Sequence, residues 1–406
     1  MPCHIAAPEH PGRSDRSPLP EPLAWIEDAL ADLRHADLVR PRRIRRRRQG
    51  REVELDGRVL VNFGSNDYLG YAGDDRLVKA VAKGACAEGA GAGASPLVSG
   101  HSAAHEALEH AVADLLDVEA ALTFPSGFAA NTAAIAALVG PGDLVVSDAR
   151  NHASIVDGCR LSRAGVAVYP HRDVAALEAL LAGSTAARKL VVTDSLFSMD
   201  GTIAALADLC DVAARHGAIL MVDEAHATGV FGGRGSGLVE ECRCADGVHV
   251  RVGTLSKALG GAGGFVAGHA GLIEFLRHHA RAWIFSTAHP PAMAAAAVRA
   301  IGLLATEPDR RRDLRARADL FRESLVQAGV DTAAAAAQIV PIVAGTAAAA
   351  VALAAALADE GFFVPAIRPP SVPAGKSLVR ASVCWHHTES DLERLAAAVG
   401  RHAARR

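Results

Sequence analysis

The stretch Ala218-Ile219-Leu220-Met221-Val222-Asp223-Glu224-Ala225-His226 decides the fold. Five apolar residues end abruptly in a carboxylate. An apolar run this short, closed by polar residues, reads as a strand buried on both faces. About one βα unit later a second run ends the same way. It is Val248-His249-Val250-Arg251-Val252, followed by Gly253-Thr254-Leu255-Ser256-Lys257-Ala258-Leu259-Gly260. Working outward, further strand candidates lie at 122–124, 143–146, 166–169 and 190–193. Helical spacing falls between most of them, at 105–116, 129–139, 173–182 and 206–215. Alternating strands and helices predict an α/β fold with a mostly parallel sheet covered on both faces. Sites in such sheets lie outside the carboxyl ends of the strands.

The flanks divide the chain. Residues 1–22 read as a loosely attached leader, and 23–39 have helical spacing. A basic run follows from Arg40 to Arg51. Residues 53–55 and 59–61 predict a hairpin turned by Asp56-Gly57. Beyond the alternating region come a long helix at 308–328, an Ala-rich stretch at 332–358 that reads as helix interrupted by a strand at 338–343, strands at 362–364 and 378–383, and a last helix at 389–403. The expected organisation is an N-terminal leader, helix and hairpin arm over 1–61, a large α/β domain over 62–305, and a smaller α+β domain over 306–406.

Bulk properties exclude several classes. A chain of 406 residues with half of them hydrophobic can build a large core. A net charge of −3 gives no overall field toward nucleic acid or a membrane surface. The basic run has no interleaved aromatic residues, as single-strand binding would favour. It reads as a solvated arm with an arginine or two toward an anionic substrate. No apolar stretch reaches 18 residues, and the first twenty residues lack the apolar core of a secretory signal. Seven cysteines in so long a chain make free thiols in a reducing cytoplasm the expectation. The spacing of Cys242 and Cys244 does not fit a zinc knuckle, and no metal is expected.

The two strand ends carry the chemistry. An acid closing one buried strand and a lysine just past another suit pyridoxal 5'-phosphate (PLP). The lysine takes the cofactor's aldehyde carbon, and the carboxylate faces its pyridine nitrogen. Taken singly, Asp223 could be a helix cap, Lys257 a surface lysine and His226 a structural histidine. Their order and spacing favour a site. Thr254 and Ser256 are placed to meet a phosphate. Pro125-Ser126-Gly127-Phe128 follows a strand and opens a helix, whose free N–H groups suit a phosphate as well. The glycines at 260–264 let backbone approach a cofactor closely. His152, in Asn151-His152-Ala153-Ser154, could stack on the ring or merely sit in a capping turn.

Together these residues resemble the α-oxoamine synthase family. The motifs, in family order, are Asn66-Asp67-Tyr68-Leu69-Gly70, Ser126-Gly127-Phe128-Ala129-Ala130-Asn131, Asn151-His152-Ala153-Ser154, Phe197-Ser198-Met199-Asp200-Gly201, Asp223-Glu224-Ala225-His226, Thr254 with Lys257, and Ser286-Thr287 before Pro290-Pro291. The resemblance covers about residues 25 to 400. It implies a fold-type-I PLP-dependent transferase with a mostly parallel seven-stranded sheet, and condensation of an amino acid with an acyl thioester with loss of CO2. The segment 366–375 resembles the branch that joins L-alanine to a pimeloyl group on CoA or a carrier protein. A homodimer is implied too. Position by position, the resemblance implies Lys257 as the cofactor lysine and proton carrier, Asp223 at the ring nitrogen, His152 stacked on the ring, and Ser198 and His226 at the ring hydroxyl. It implies Thr254 at the phosphate and Gly127 and Phe128 beside the cofactor. Asn66 and Arg368 would bind the amino acid carboxylate, and Ser371 and Arg40 would lie near the acyl substrate. The chain departs from the family pattern at Pro96, where arginine is common, at Ser371, where threonine is frequent, and at Ser195-Leu196. A sister synthase using glycine or serine, an aminotransferase or lyase, and a non-catalytic subunit of the same fold are the alternatives.

Overall fold

The computed structural model describes residues 19–332 and 335–403. Most of the expected leader, 1–18, lies outside the described residues, as do 333–334 in the Ala-rich stretch. The chain forms two compact units, Met1–Arg42 and Arg43–Arg406. The described part of the first holds the helix Trp25–His35. It is shorter than the expected 23–39 because Asp37 takes a left-handed conformation, with φ of 55°. The Leu38 N–H then bonds back to the Leu33 carbonyl and closes the helix.

The second unit opens with the hairpin β1 (Glu52–Leu55) and β2 (Arg58–Asn62). Asp56 and Gly57 both have positive φ, at 52° and 76°, as a tight turn between twisted strands needs. Seven strands then form the main sheet: β3 (Ala120–Phe124), β4 (Leu144–Asp148), β5 (Gly165–Tyr169), β6 (Lys189–Asp194), β7 (Ile219–Asp223), β8 (Val250–Thr254) and β9 (Gly264–Gly268). Their order is β3-β9-β8-β7-β6-β4-β5. Only β9 is antiparallel, and it pairs with both β3 and β8. The sheet is thus mostly parallel and seven-stranded, as expected.

Two details differ from the sequence expectation. β8 ends at Thr254 rather than Val252, because Thr254 pairs with Gly264 of β9. β9 itself, Gly-Phe-Val-Ala-Gly, was not foreseen, since glycines bound it on both sides. One of them is required there. A Cβ on Gly264 would collide with the Gly127 backbone nitrogen across the sheet.

Alternate strand residues feed two cores. Val191, Leu220, Val222 and Phe265 pack on one face. Leu122, Val145, Leu190, Val192, Met221, Val252 and Val266 pack on the other, beneath the helices Gly127–Leu138 and Ala153–Ser162. The two-residue period therefore sets Asp194, Asp223 and Thr254 on this second face, each at the carboxyl end of its strand. The C-terminal part adds β10 (Ile339–Gly345), β11 (Phe362–Phe363), β12 (Ala366–Ile367) and β13 (Ser377–Ser382), with helices Pro308–Gln327, Ala347–Asp359 and Glu389–Ala403. β10, β13 and β12 form an antiparallel sheet, and β11 extends the hairpin in parallel with β2.

Candidate active site

The carboxyl edge of the main sheet gathers most of the expected residues. Asp223 ends β7 directly opposite Asp194 of β6. Both are buried. The Asp223 Oδ1 accepts the Ala225 N–H at 2.7 Å, and its Oδ2 accepts from the Asn131 amide at 2.6 Å. Asp194 accepts the backbone N–H of His152 at 2.7 Å. Burial and the facing Asp223 push the Asp194 carboxyl well above its ordinary range. Glu224, next in the chain, is turned away. It forms a buried ion pair with Arg251 at 2.6 Å and so fixes the β7 end to β8.

Lys257 stands on the turn after β8. Its Nζ lies 2.8 Å from His226 Nε2, and His226 Nδ1 lies 2.7 Å from the Tyr68 hydroxyl. Tyr68 in turn reaches Asn66 Oδ1 at 3.3 Å, which also accepts from Arg380 at 3.0 Å. Because the Asn66 carbonyl is committed to Arg380, its amino group is left for other partners. Desolvation lowers the Lys257 amine to about 8, against the opposing pull of Asp223 and Asp194. Burial, with Lys257 adding to it, keeps His226 neutral, far below the usual imidazole range. A lysine so shifted holds a useful neutral fraction near pH 7 and can act as nucleophile and proton carrier.

The His152 Nδ1 lies 2.7 Å from the Ser154 hydroxyl. Burial lowers its imidazole too, with Asp223 opposing and Lys257 reinforcing the shift. Gly127 begins its helix beside Thr254; a Cβ on Gly127 would lie 3.3 Å from Thr254 Cβ. The Thr254 and Ser256 hydroxyls are 2.8 Å apart, and Thr254 Oγ1 also donates to the Gly263 carbonyl at 2.9 Å. Phe128 is exposed in the first turn of that helix. The Ser198 carbonyl accepts from Arg380 at 2.9 Å. Arg368 and Ser371 lie on the loop between β12 and β13, half-buried and exposed respectively, and the Ser371 N–H bonds to the Arg368 carbonyl. Arg40 belongs to the N-terminal unit.

These residues fit PLP. A helix N-terminus at Gly127 and two facing hydroxyls, Thr254 and Ser256, stand together, with Gly127 packed closely against Thr254 and Gly264. An acid and a depressed lysine share the adjoining space. The sequence did not assign roles to Tyr68, Asn131, Ser154, Asp194, Gln338 or Arg380. Asp194 carries the same signal as Asp223, an acid closing an apolar strand. Arg380 is a lone cation inside the apolar run of β13. Gln338, whose amide donates to the His226 carbonyl at 2.9 Å, gives no such signal.

Comparison with known proteins identifies the family and the fold. The family model described as "Aminotransferase class I and II" matches residues 58–399. An 8-amino-7-oxononanoate synthase of Anaeromyxobacter dehalogenans is 50% identical over 351 residues, 86% of this chain and 88% of that protein. One from Geobacter sulfurreducens is 47% identical over 379 residues, 93% of this chain and 97% of that protein. A solved serine palmitoyltransferase variant of S. paucimobilis, with a bound PLP-myriocin aldimine, superposes with a TM-score of 0.90 at 30% identity, covering 94% of this chain and 98% of that one.

Proposed function

The chain belongs to the aminotransferase class I and II family, and from that premise we propose a PLP-dependent acyltransferase of biotin biosynthesis. It condenses L-alanine with pimeloyl-CoA, or a pimeloyl carrier protein, to give 8-amino-7-oxononanoate, CO2 and free thiol. The observation that carries the reaction class is the meeting of Lys257, His226, Asp223 and His152 at the carboxyl edge of the sheet. The names of the relatives at 47–50% identity support the substrate choice.

PLP, when bound, supplies an electron sink for a carbanion at the amino acid's α-carbon. The chain's own residues hold and steer. Thr254, Ser256 and the Gly127-Phe128 backbone would hold the phosphate end. Asp223, fixed by Asn131 and Ala225, would hold a proton at the ring nitrogen. His152 would cover the ring, and Ser198 and His226 would meet its hydroxyl side. Lys257 would remove and return the α-proton, its amine already poised near pH 8. Asn66 and Arg368 would bind the amino acid carboxylate, with Arg380 orienting Asn66. Arg40 and Ser371 would lie along the acyl substrate. We also propose a homodimer working in the cytoplasm. Among the described residues, no helix is long and apolar enough to cross a membrane.

The test is thiol release from a panel of acyl thioesters offered with L-alanine, glycine or L-serine. Turnover is expected with L-alanine and pimeloyl thioester, and Lys257→Ala abolishes it. Turnover only with glycine and a short thioester, or only with serine and a long one, would move the assignment to a sister synthase.

A further inference from the structure

We infer that Asn131 and Ser154 are positioning residues, a buried bridge that locks the Asp223 carboxylate and holds His152 as its Nε2–H tautomer. The inference rests on the reading that Asp223 and His152 face the cofactor.

Asn131 and Ser154 lie on the two helices that cover this face of the sheet, and both are buried. An ionised carboxylate only accepts hydrogen bonds, so the group facing Asp223 Oδ2 at 2.6 Å is the Asn131 amino group. The second proton of that amino group goes to Ser154 Oγ at 2.9 Å. Ser154, accepting there, keeps its own proton for His152 Nδ1 at 2.7 Å. The Ser154 backbone N–H points at the same nitrogen from 3.2 Å. Each donor not taken by Asp223 is thereby directed toward His152 Nδ1. That nitrogen accepts, and the proton of a neutral imidazole must sit on Nε2.

One more atom supports the direction. Asn131 Oδ1 is buried without a hydrogen-bond partner. An orphaned buried carbonyl is unfavourable. Turning the amide over would be worse, since it would set that carbonyl against Asp223. The charged groups around the ring agree. Burial, with Lys257 acting the same way, outweighs the pull of Asp223 toward protonation and favours the neutral ring. Asp194 engages the backbone N–H of His152, not its ring. The bridge thus makes Asp223 and His152 one unit, with a fixed donor at Nε2.

Nitrogen-15 correlation spectra of the imidazoles in the holoenzyme test this, with His152→Gln identifying the signal. The Nε2–H form is expected at pH 7. A proton on Nδ1 of His152, or on both nitrogens, overturns the inference whatever the Asn131 and Ser154 variants do. Ser154→Ala should mix the tautomers and slow L-alanine α-proton exchange about tenfold, the size of one lost hydrogen bond. Ser154→Thr, which keeps the hydroxyl, should restore the single tautomer. Asn131→Ala should mix the tautomers and weaken PLP retention about tenfold. Alanine variants that keep one tautomer and full exchange overturn the bridge. If the unmodified protein shows no cofactor absorbance, the functional reading fails instead, while the imidazole spectrum still decides the bridge.

Discussion

At Lys257 the decisive quantity is the neutral fraction of one amine. An unperturbed lysine near 10.4 is about 0.04% neutral at pH 7. Lowered to about 8, Lys257 is roughly one-tenth neutral, a gain of a few hundredfold. The cause is burial, only partly offset by Asp223 and Asp194. The sign follows directly. The folded state releases this proton at lower pH than the unfolded chain does, so between about 8 and 10.5 this group adds stability as pH rises, and below that window it contributes no slope. For reactivity, capture of PLP by protein stripped of cofactor should quicken about tenfold per pH unit and level off near pH 8. Stopped-flow absorbance reads this. A rate still climbing tenfold per unit at pH 10 would mean that Lys257 sits in a water-like environment.

Between elements, the close approach of helices Gly127–Leu138 and Ala153–Ser162 sets the distance from Asn131 to Ser154. Gly158 permits it. A Cβ there would lie 2.9 Å from Ile135 Cδ1 and 3.2 Å from the Asn131 carbonyl. Gly→Ala inside a helix ordinarily gains about 0.5–1 kcal/mol. Overpacking a filled core costs about 1–3 kcal/mol. The second effect wins, so Gly158→Ala should lower the unfolding free energy by about 1 kcal/mol, seen as a lowered denaturation midpoint, and loosen the Asn131–Ser154 contact. A raised midpoint would show that the helices separate freely. This scale also shows what the sequence made legible. β6 and β7 announce themselves as apolar runs closed by acids, and Asp56-Gly57 announces the hairpin. β9 is small, glycine-bounded and antiparallel, so it resembles a loop until its partners β3 and β8 are placed. Tyr68, Asn131 and Ser154 stood inside recognised motifs without roles, because their roles depend on contacts with residues tens of positions away. Arg380 shows as a lone cation in an apolar run, but a strand buried on both faces gives no periodic sign that it meets the site.

At the scale of the whole molecule, several large apolar side chains stand outside the core. Leu97, Val98 and Phe285 are 60%, 77% and 70% exposed. Leu97 and Val98 lie within Pro96–Gly100 and Phe285 directly follows Arg281–Ile284, two short elements packed on each other. Clustered exposed apolar side chains of this size mark an interaction surface. A second copy of the chain is the occupant that the proposed homodimer supplies. Fully covering three such side chains is worth about 5–9 kcal/mol before the cost of association, and two copies would bury twice that number. Light scattering of the purified protein should therefore give twice 41.9 kDa at micromolar concentration. Val98→Glu sets a charge in that surface and should shift the mass toward one chain. The fold should stay intact in this variant, because Val98 touches solvent in the single chain. A monomeric mass for the unmodified protein would remove the homodimer. A Val98→Glu protein that stays dimeric would move the contact surface away from this patch.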